Sequence, residues 1–118
     1  MRSSKLECKI YDILQNAEIP FKEEYTFHGL IGKSGKPLRF DFACFDDDGN
    51  LDFLIEAQGE QHYKPVAAFG GQKALYRQQR NDAAKRKYCL AHDIKLVTIP
   101  YYDYNQITYD YIMQAAGY

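Results

Sequence analysis

Asp41, Glu56, Gln58 and His62 fall inside one stretch, LRFDFACFDDDGNLDFLIEAQGEQH (38–62), and RNDAAKRK (80–87) follows with Asp82 among basic residues. Asp41 lies between Phe40 and Phe42, where an ionised carboxylate is costly unless something pairs with it. Glu56 meets the same difficulty near the end of LDFLIEAQ. Two such acids on neighbouring strands repel one another unless a cation sits between them. Mg²⁺ takes oxygen ligands from one or two carboxylates, with water and substrate phosphate completing its shell. The pair therefore suits Mg²⁺ or Mn²⁺, and acids gathered beside a basic helix suit metal-dependent cutting of a phosphodiester backbone. A duller reading gives Asp41 an ion pair with Arg39 or with a lysine of the basic helix.

Bringing these residues to one spot requires two adjacent strands and a helix. LRFDFACF (38–45) alternates, with Leu38, Phe40, Phe42 and Cys44 on one face and Arg39, Asp41, Ala43 and Phe45 on the other. DDDGN (46–50) is a turn signal, and LDFLIEAQ (51–58) is the returning strand. Upstream, Ser3 or Ser4 can cap a first helix carrying Leu6, Ile10, Ile13 and Leu14 at helical spacing; it ends near Asn16, before Pro20. FKEEYTF (21–27) suits a strand, and GLIGKSGKP (29–37), with three Gly and a Pro, reads as a loop or a wide hairpin turn. Downstream, a loop with Pro65, Gly70 and Gly71 leads to a long helix over 72–92. IKLVTIP (94–100) is a buried-type strand, and a closing helix is expected over 105–116. The order is α-β-β-β-α-β-α, an α/β (α+β) fold with a small mixed sheet flanked by helices.

Size and composition bound the rest. The 118 residues fit a single domain over 1–118, with 46% hydrophobic and 26% charged residues as in ordinary globular proteins. Eleven Tyr and seven Phe without any Trp are an unusual aromatic content, suited to a half-wet groove as well as to a core. With a formal net charge of −1, nucleic-acid binding has to come from the distribution of charge. Cys8, Cys44 and Cys89 form no CxxC pair, which argues against a disulfide scaffold or a structural zinc site. MRSSKLECK lacks the apolar stretch of a signal peptide, and no run reaches membrane-spanning length, so an intracellular, cytoplasmic location without membrane association is expected.

Asp41 on one strand followed by Glu56-Ala57-Gln58 on the next resembles the D…(D/E)xK signature of the PD-(D/E)XK nuclease superfamily. The α-β-β-β-α-β order is similar to that superfamily's restriction-endonuclease-like core. More narrowly, IEAQGEQHY followed by QQRNDAAKRKYCLAHDIKLVTIP resembles the branch holding the very-short-patch mismatch repair endonucleases. Phage-encoded homing endonucleases with an EDxHD arrangement lie in the same branch. The likeness runs from Glu7 to Pro100. It implies a metal-dependent hydrolase of DNA in a bacterial or phage setting.

By that resemblance Asp41 is the central metal-binding aspartate. Ala57 supplies a backbone carbonyl to the metal, and Glu56 can add a carboxylate. His62 matches the histidine of EDxHD, a general base or acid, and an imidazole titrates close to neutral pH. Asp82 matches the final aspartate, which orients that histidine or holds a second cation, and Glu7 matches the first-helix glutamate. Gln58 departs from the pattern, because many members carry a lysine there. The lost positive charge then has to be replaced by His62, by Lys85 or by the metal.

The helix over 72–92 carries Lys73, Arg77, Arg80, Lys85, Arg86 and Lys87 against one acid, Asp82. Such a stripe suits a phosphate track on duplex DNA, although a solvated face gives a similar count. GLIGKSGKP and KPVAAFGGQ (64–72) are the expected loops for base readout, with Tyr63, Tyr76 and the YYDY run (101–104) as rings that either stack on bases or pack inside. Plainer roles exist for most candidates. Glu7 can be half of a capping box. Asp82 can pair with Arg86 on the helix surface. Gln58 can hydrogen-bond the backbone, His28 and His92 can be structural, and Asp46, Asp47 and Asp48 fit a hairpin turn. The expected activity is a divalent-metal endonuclease acting on duplex DNA. The alternatives are a catalytically inactive nuclease-fold module that binds nucleic acid, and a small interaction or inhibitor protein. A domain this small leaves a homodimer or a fused DNA-recognition domain to supply long-site specificity.

Overall fold

A computed structural model describes residues 4–118; Ser3, one of the two expected caps, lies outside them. The chain forms α1 (Lys5–Asn16), β1 (Phe21–Ile31), β2 (Pro37–Phe45), β3 (Leu51–Gln58), α2 (Gly71–Ala91), β4 (Lys95–Pro100) and α3 (Tyr109–Ala115). The four strands lie in sequence order in one mixed sheet. β1, β2 and β3 are antiparallel neighbours, and β4 is parallel to β3, with α2 as the crossover. Helices flank this sheet, so the expected mixed α/β class and element order are observed. Among the described residues no helix is long and apolar enough to cross a membrane.

Local chemistry explains most boundaries. Ser4 caps α1, its Oγ accepting from the Glu7 N–H at 3.0 Å, which is the first half of a capping box. In the β2–β3 turn, Asp46 Oδ1 accepts from the N–H groups of Asp48 and Asn50, and Gly49 takes a φ of 83°. The acidic triplet is thus a turn, as its composition suggested.

Three expectations need correction. β1 runs on through Gly29 to Ile31 and Pro37 opens β2, so the glycine-rich loop shrinks to residues 32–36. The closing helix is split: Tyr101–Gln106 is a 3₁₀ turn, Ile107 is extended, and Thr108 caps a shorter α3 by accepting from the Tyr111 N–H at 3.1 Å. The cap residue competes for backbone bonds and stops a continuous helix there.

The third concerns β2. Phe42 and Cys44 pack with Leu6, Ile10 and Leu14 of α1 and Ile112 of α3, whereas Phe40 packs with Ala43, Leu54 and Cys89 under α2. Strict alternation would put Phe40 and Phe42 on one face. The strand therefore changes face at Asp41. The paired register agrees: Glu23↔Phe42 and Tyr25↔Phe40 are matched, while Glu24 stands between them with a φ of 51°. A left-handed residue on one strand lets both strands twist through this rung.

That twist is open to test. Glu24→Gly should leave stability within about 1 kcal/mol of wild type, because glycine adopts positive φ freely. Glu24→Val should cost more than roughly 1 kcal/mol, since a branched side chain is strained there. Urea denaturation of the two variants separates these outcomes, and equal losses would contradict the twist.

Candidate active site

The ladder between β2 and β3 runs from Phe45↔Leu51 to Phe42↔Ile55 and stops. Beyond it β2 stays with β1 as far as Pro37, and β3 stays with β4 as far as Gln58. The sheet opens into a fork, and Asp41 and Glu56 face each other at its base. Two side-chain bridges span it. The Asp41 N–H donates to Glu56 Oε1 at 3.0 Å, and the Ala57 N–H donates to Asp41 Oδ2 at 2.7 Å. Carboxylate oxygens replace the carbonyl acceptors of a continued ladder, so the Asp41 and Ala57 N–H groups keep partners where the strands part.

Lys85 reaches the fork from α2, its Nζ 2.9 Å from Glu56 Oε2. The Lys85 and Glu56 side chains are only 10% and 4% exposed, so this is a buried ion pair. The sequence offered Arg39 or a helix lysine as partner for the strand acid. The lysine is found on Glu56, while Arg39 bonds Glu24 at the surface. Burial, then the charge of Glu56, then that of Glu7 push the Asp41 carboxyl up to about 7, against the pull of the Ala57 N–H and Lys85. Burial also raises Glu56, outweighing the Lys85 ammonium and the Asp41 N–H.

Glu7, Asp41, Glu56, Ala57, His62 and Lys85 all line one open cavity of about 420 Å³. Glu7 comes from α1, Lys85 from α2, and the others from the fork and the turn after β3. Glu7 donates its N–H to the Ser4 cap, and its side chain also lines the cavity. His62 ends a single 3₁₀ turn, Glu60–His62, that follows Gly59. Its Nδ1 lies 2.9 Å from Asp82 Oδ2, and the Gln78 Nε2 donates to Asp82 Oδ1 at 3.1 Å. A carboxylate only accepts, so the proton of this contact sits on Nδ1 and leaves Nε2 as the imidazole's other hydrogen-bonding atom. Asp82 does not line the cavity and acts on it through His62; it pairs with His62 and not with Arg86.

Gln58 is not brought into this cavity. It is buried beside Glu56, Asp82 and Lys85, and its Oε1 accepts from the Tyr63 hydroxyl at 2.7 Å, where a backbone bond was the plainer expectation. Gln78 and Asn81 do line the cavity, and reasoning from sequence missed both. Gln78 precedes Asp82 by one helical turn, the signal that would have found it. His92 stacks on Tyr88 with ring centroids 4.1 Å apart, a structural role as expected. Burial pushes the Cys44 thiol up to about 12 and raises Cys89 as well, so neither serves as a thiolate nucleophile.

The donor set suits a hard cation in part. Asp41 Oδ1 takes no hydrogen bond from the described residues, and Glu7 and Ala57 lie on the same cavity. Both Glu56 oxygens already have protein partners, so only their remaining lone pairs are open. Among the described residues no three His, Cys, Asp or Glu side chains form a ready-made cage. Mg²⁺ commonly keeps several waters and needs only one or two carboxylates.

The basic stripe is exposed but aimed elsewhere. Leu75, Asp82 and Cys89 recur every seven residues on the buried face of α2, with Lys85 beside them. Lys73, Arg80 and Lys87 recur at the same interval two positions earlier, which places them about 200° round the helix. They face solvent on the side away from the sheet. Arg77 and Arg86 are also exposed.

The chain is similar to viral proteins. Over 82 residues, covering 67% of this chain and 50% of the relative, it is 39% identical to uncharacterized protein 094L of frog virus 3 (isolate Goorha). Over 71 residues, covering 59% of this chain and 34% of the relative, it is 32% identical to uncharacterized protein 307L of invertebrate iridescent virus 6. The matched region thus spans half of one relative and about a third of the other. No family model and no solved structure matches the chain.

Two outcomes are expected from the buried acids. Lys85→Met should lose about 3–5 kcal/mol by leaving Glu56 buried without a counter-charge, and Lys85→Met/Glu56→Gln should recover a large part. Denaturant titration reads both, and a double variant no better than the single would refute the pairing. Asp41 titrates higher in the folded than in the unfolded chain, so its stabilising contribution is full below its ordinary value of 3.8 and is lost as pH rises to about 7. Without divalent cations, Asp41→Asn should therefore gain on wild type as pH rises through that window. A constant stability difference across it would contradict the raised carboxyl.

Proposed function

We propose that the protein is a divalent-metal-dependent endonuclease that hydrolyses phosphodiester bonds in DNA, nicking or cutting a duplex. The observation that carries this reading is the pair of desolvated carboxylates at the base of the strand fork. The backbone bonds they accept at the fork bring Asp41 and Glu56 together but leave their mutual repulsion unanswered on the Asp41 side, where Glu7 raises the carboxyl further. A cation relieves that repulsion. The resemblance to PD-(D/E)XK nucleases implies the same chemistry for the same residues.

Asp41, with the Ala57 carbonyl and a lone pair of Glu56, would hold the cation. When bound it supplies an activated water and offsets the charge that grows on the scissile phosphate. His62 is placed to take a proton from that water or to give one to the leaving oxygen through Nε2. Asp82 and Gln78 fix the ring's tautomer and angle. A positioned base of this kind contributes on the order of a hundred- to ten-thousand-fold. Lys85 sets a buried positive charge beside the acids, as the lysine missing at position 58 would have done. A binding module without catalysis remains the second reading, favoured by one fact: both Glu56 oxygens already have protein partners.

Supercoiled plasmid with Mg²⁺ or Mn²⁺ should be relaxed or linearised by wild type, and left intact with EDTA or with Asp41→Ala. Intact plasmid in every wild-type lane, with folded protein, favours the binding module. In the same proposal, exchanging Lys73, Arg80 and Lys87 for Ala should weaken duplex binding and reduce its salt slope by roughly three. An unchanged slope would remove the outer face of α2 from the DNA contact.

A further inference from the structure

The side of the molecule that carries the acidic cavity is away from Lys73, Arg80 and Lys87, which stand on the far face of α2. It carries aromatic rings instead. A second cavity, of about 590 Å³, adjoins the acidic one and shares Glu7, Ala57 and Gln61 with it. Phe69, Tyr101 and Tyr104 wall it. Tyr63 and Tyr102 extend the aromatic surface from Tyr101, with ring centroids 5.4–5.8 Å apart.

Several details suit this surface to a ligand. Phe69 is 57% exposed and Tyr102 is 65% exposed, a poor use of rings unless something covers them. Phe69 ends a short 3₁₀ turn, Ala67–Phe69, held by backbone bonds from Phe69 N–H and Gly71 N–H to the Val66 carbonyl. Lys5, which lines the cavity, stands over the Tyr104 ring at 4.9 Å, and Lys9 covers the same ring at 4.5 Å while donating to the Tyr104 carbonyl, so the ring left open on this wall is Phe69. The one acid on the wall that the acidic site does not use, Glu60, is paired with Lys64 at 3.2 Å.

Flat rings bordered by ammonium groups recognise the π-face of a nucleobase and the phosphate next to it. In an intact duplex those faces are stacked and only base edges are open in the grooves. We propose that this cavity binds an unpaired nucleotide of the DNA substrate, its base against Phe69 and its phosphate towards Lys5, one step from the bond to be cut. The inference rests on the nuclease reading and narrows it: the preferred substrate has a single-stranded segment beside the scissile phosphate, as in a flap or a gap.

The test is binding without cleavage. Fluorescence anisotropy in EDTA compares a labelled oligothymidylate with a duplex of equal length. Wild type should favour the single strand by roughly tenfold or more, the scale of one or two stacked bases. Phe69→Ala should erase most of that advantage and leave duplex affinity unchanged, and Phe69→Trp should restore it. Phe69 lies at the surface, so both variants should fold, and thermal melting verifies this. Equal affinity for the two probes in wild type, or a Phe69→Ala variant with the full preference, would overturn the inference. Because no cleavage is involved in that test, a gapped or flapped duplex left intact with Mg²⁺ or Mn²⁺ while the single-strand preference holds would sink the nuclease alone. Duplex cleavage without that preference would sink this inference alone.

Discussion

The reciprocal bridge between Asp41 and Glu56 is the constraint on which the rest of the structure depends. Where β2 and β3 part, backbone donors lose their ladder partners, and each carboxylate supplies an acceptor to the other strand. The arrangement satisfies the backbone and creates an electrostatic problem together. It sets two acids side by side in partly dry surroundings, and burial then lifts the Asp41 carboxyl to about 7. Lys85 answers half of the problem by neutralising Glu56. The other half stays open towards a cavity, where a cation and a phosphate can answer it.

The remaining elements serve that fork from both sides. One core, under α1 and α3, holds Phe42, Ile55 and Ile99 and brings Glu7 to the cavity wall. The other, under α2, holds Phe40, Leu54 and Cys89 and aligns Lys85 with Glu56. β2 contributes to both because it changes face at Asp41, opposite the left-handed Glu24. The strand irregularity that sets the aspartate at the base of the fork is the same one that divides the core. The polar residues of α2 are ordered likewise: Asp82 and Lys85 turn inward on one face, and Lys73, Arg80 and Lys87 turn outward on the opposite one.

Much of this was legible in the residues. Alternation and turn chemistry placed β2, the 46–50 turn and β3 within a residue, and helical spacing placed α1 and α2. Asp41 and Glu56 stood out as costly acids inside apolar strands, whereas Glu7, Ala57, His62 and Lys85 joined them only through the resemblance to the nuclease pattern. What escaped depends on tertiary context. Alternation cannot reveal that a strand switches faces, because the cause is a positive φ at a glutamate on the neighbouring strand. The closing helix looked continuous because the apolar spacing of 105–116 outweighed a threonine that caps only its second half. Gln58 was grouped with the site by its offset from Glu56, and its bond to the Tyr63 hydroxyl, made by a residue five positions on, was not legible in that offset. The basic residues of α2 were read as one group, although a helix shows them to opposite sides according to their spacing from Asp82.

The central claim is that the Asp41–Glu56 fork is a cation site that works on a phosphate. The most direct measurement is an electron paramagnetic resonance titration of Mn²⁺ in the presence of a phosphorothioate oligonucleotide, for wild type and Asp41→Asn. The account predicts one Mn²⁺ bound per wild-type chain with the oligonucleotide present, lost or greatly weakened in Asp41→Asn while the variant remains folded. Equal Mn²⁺ binding by both proteins, or none by either, would contradict it.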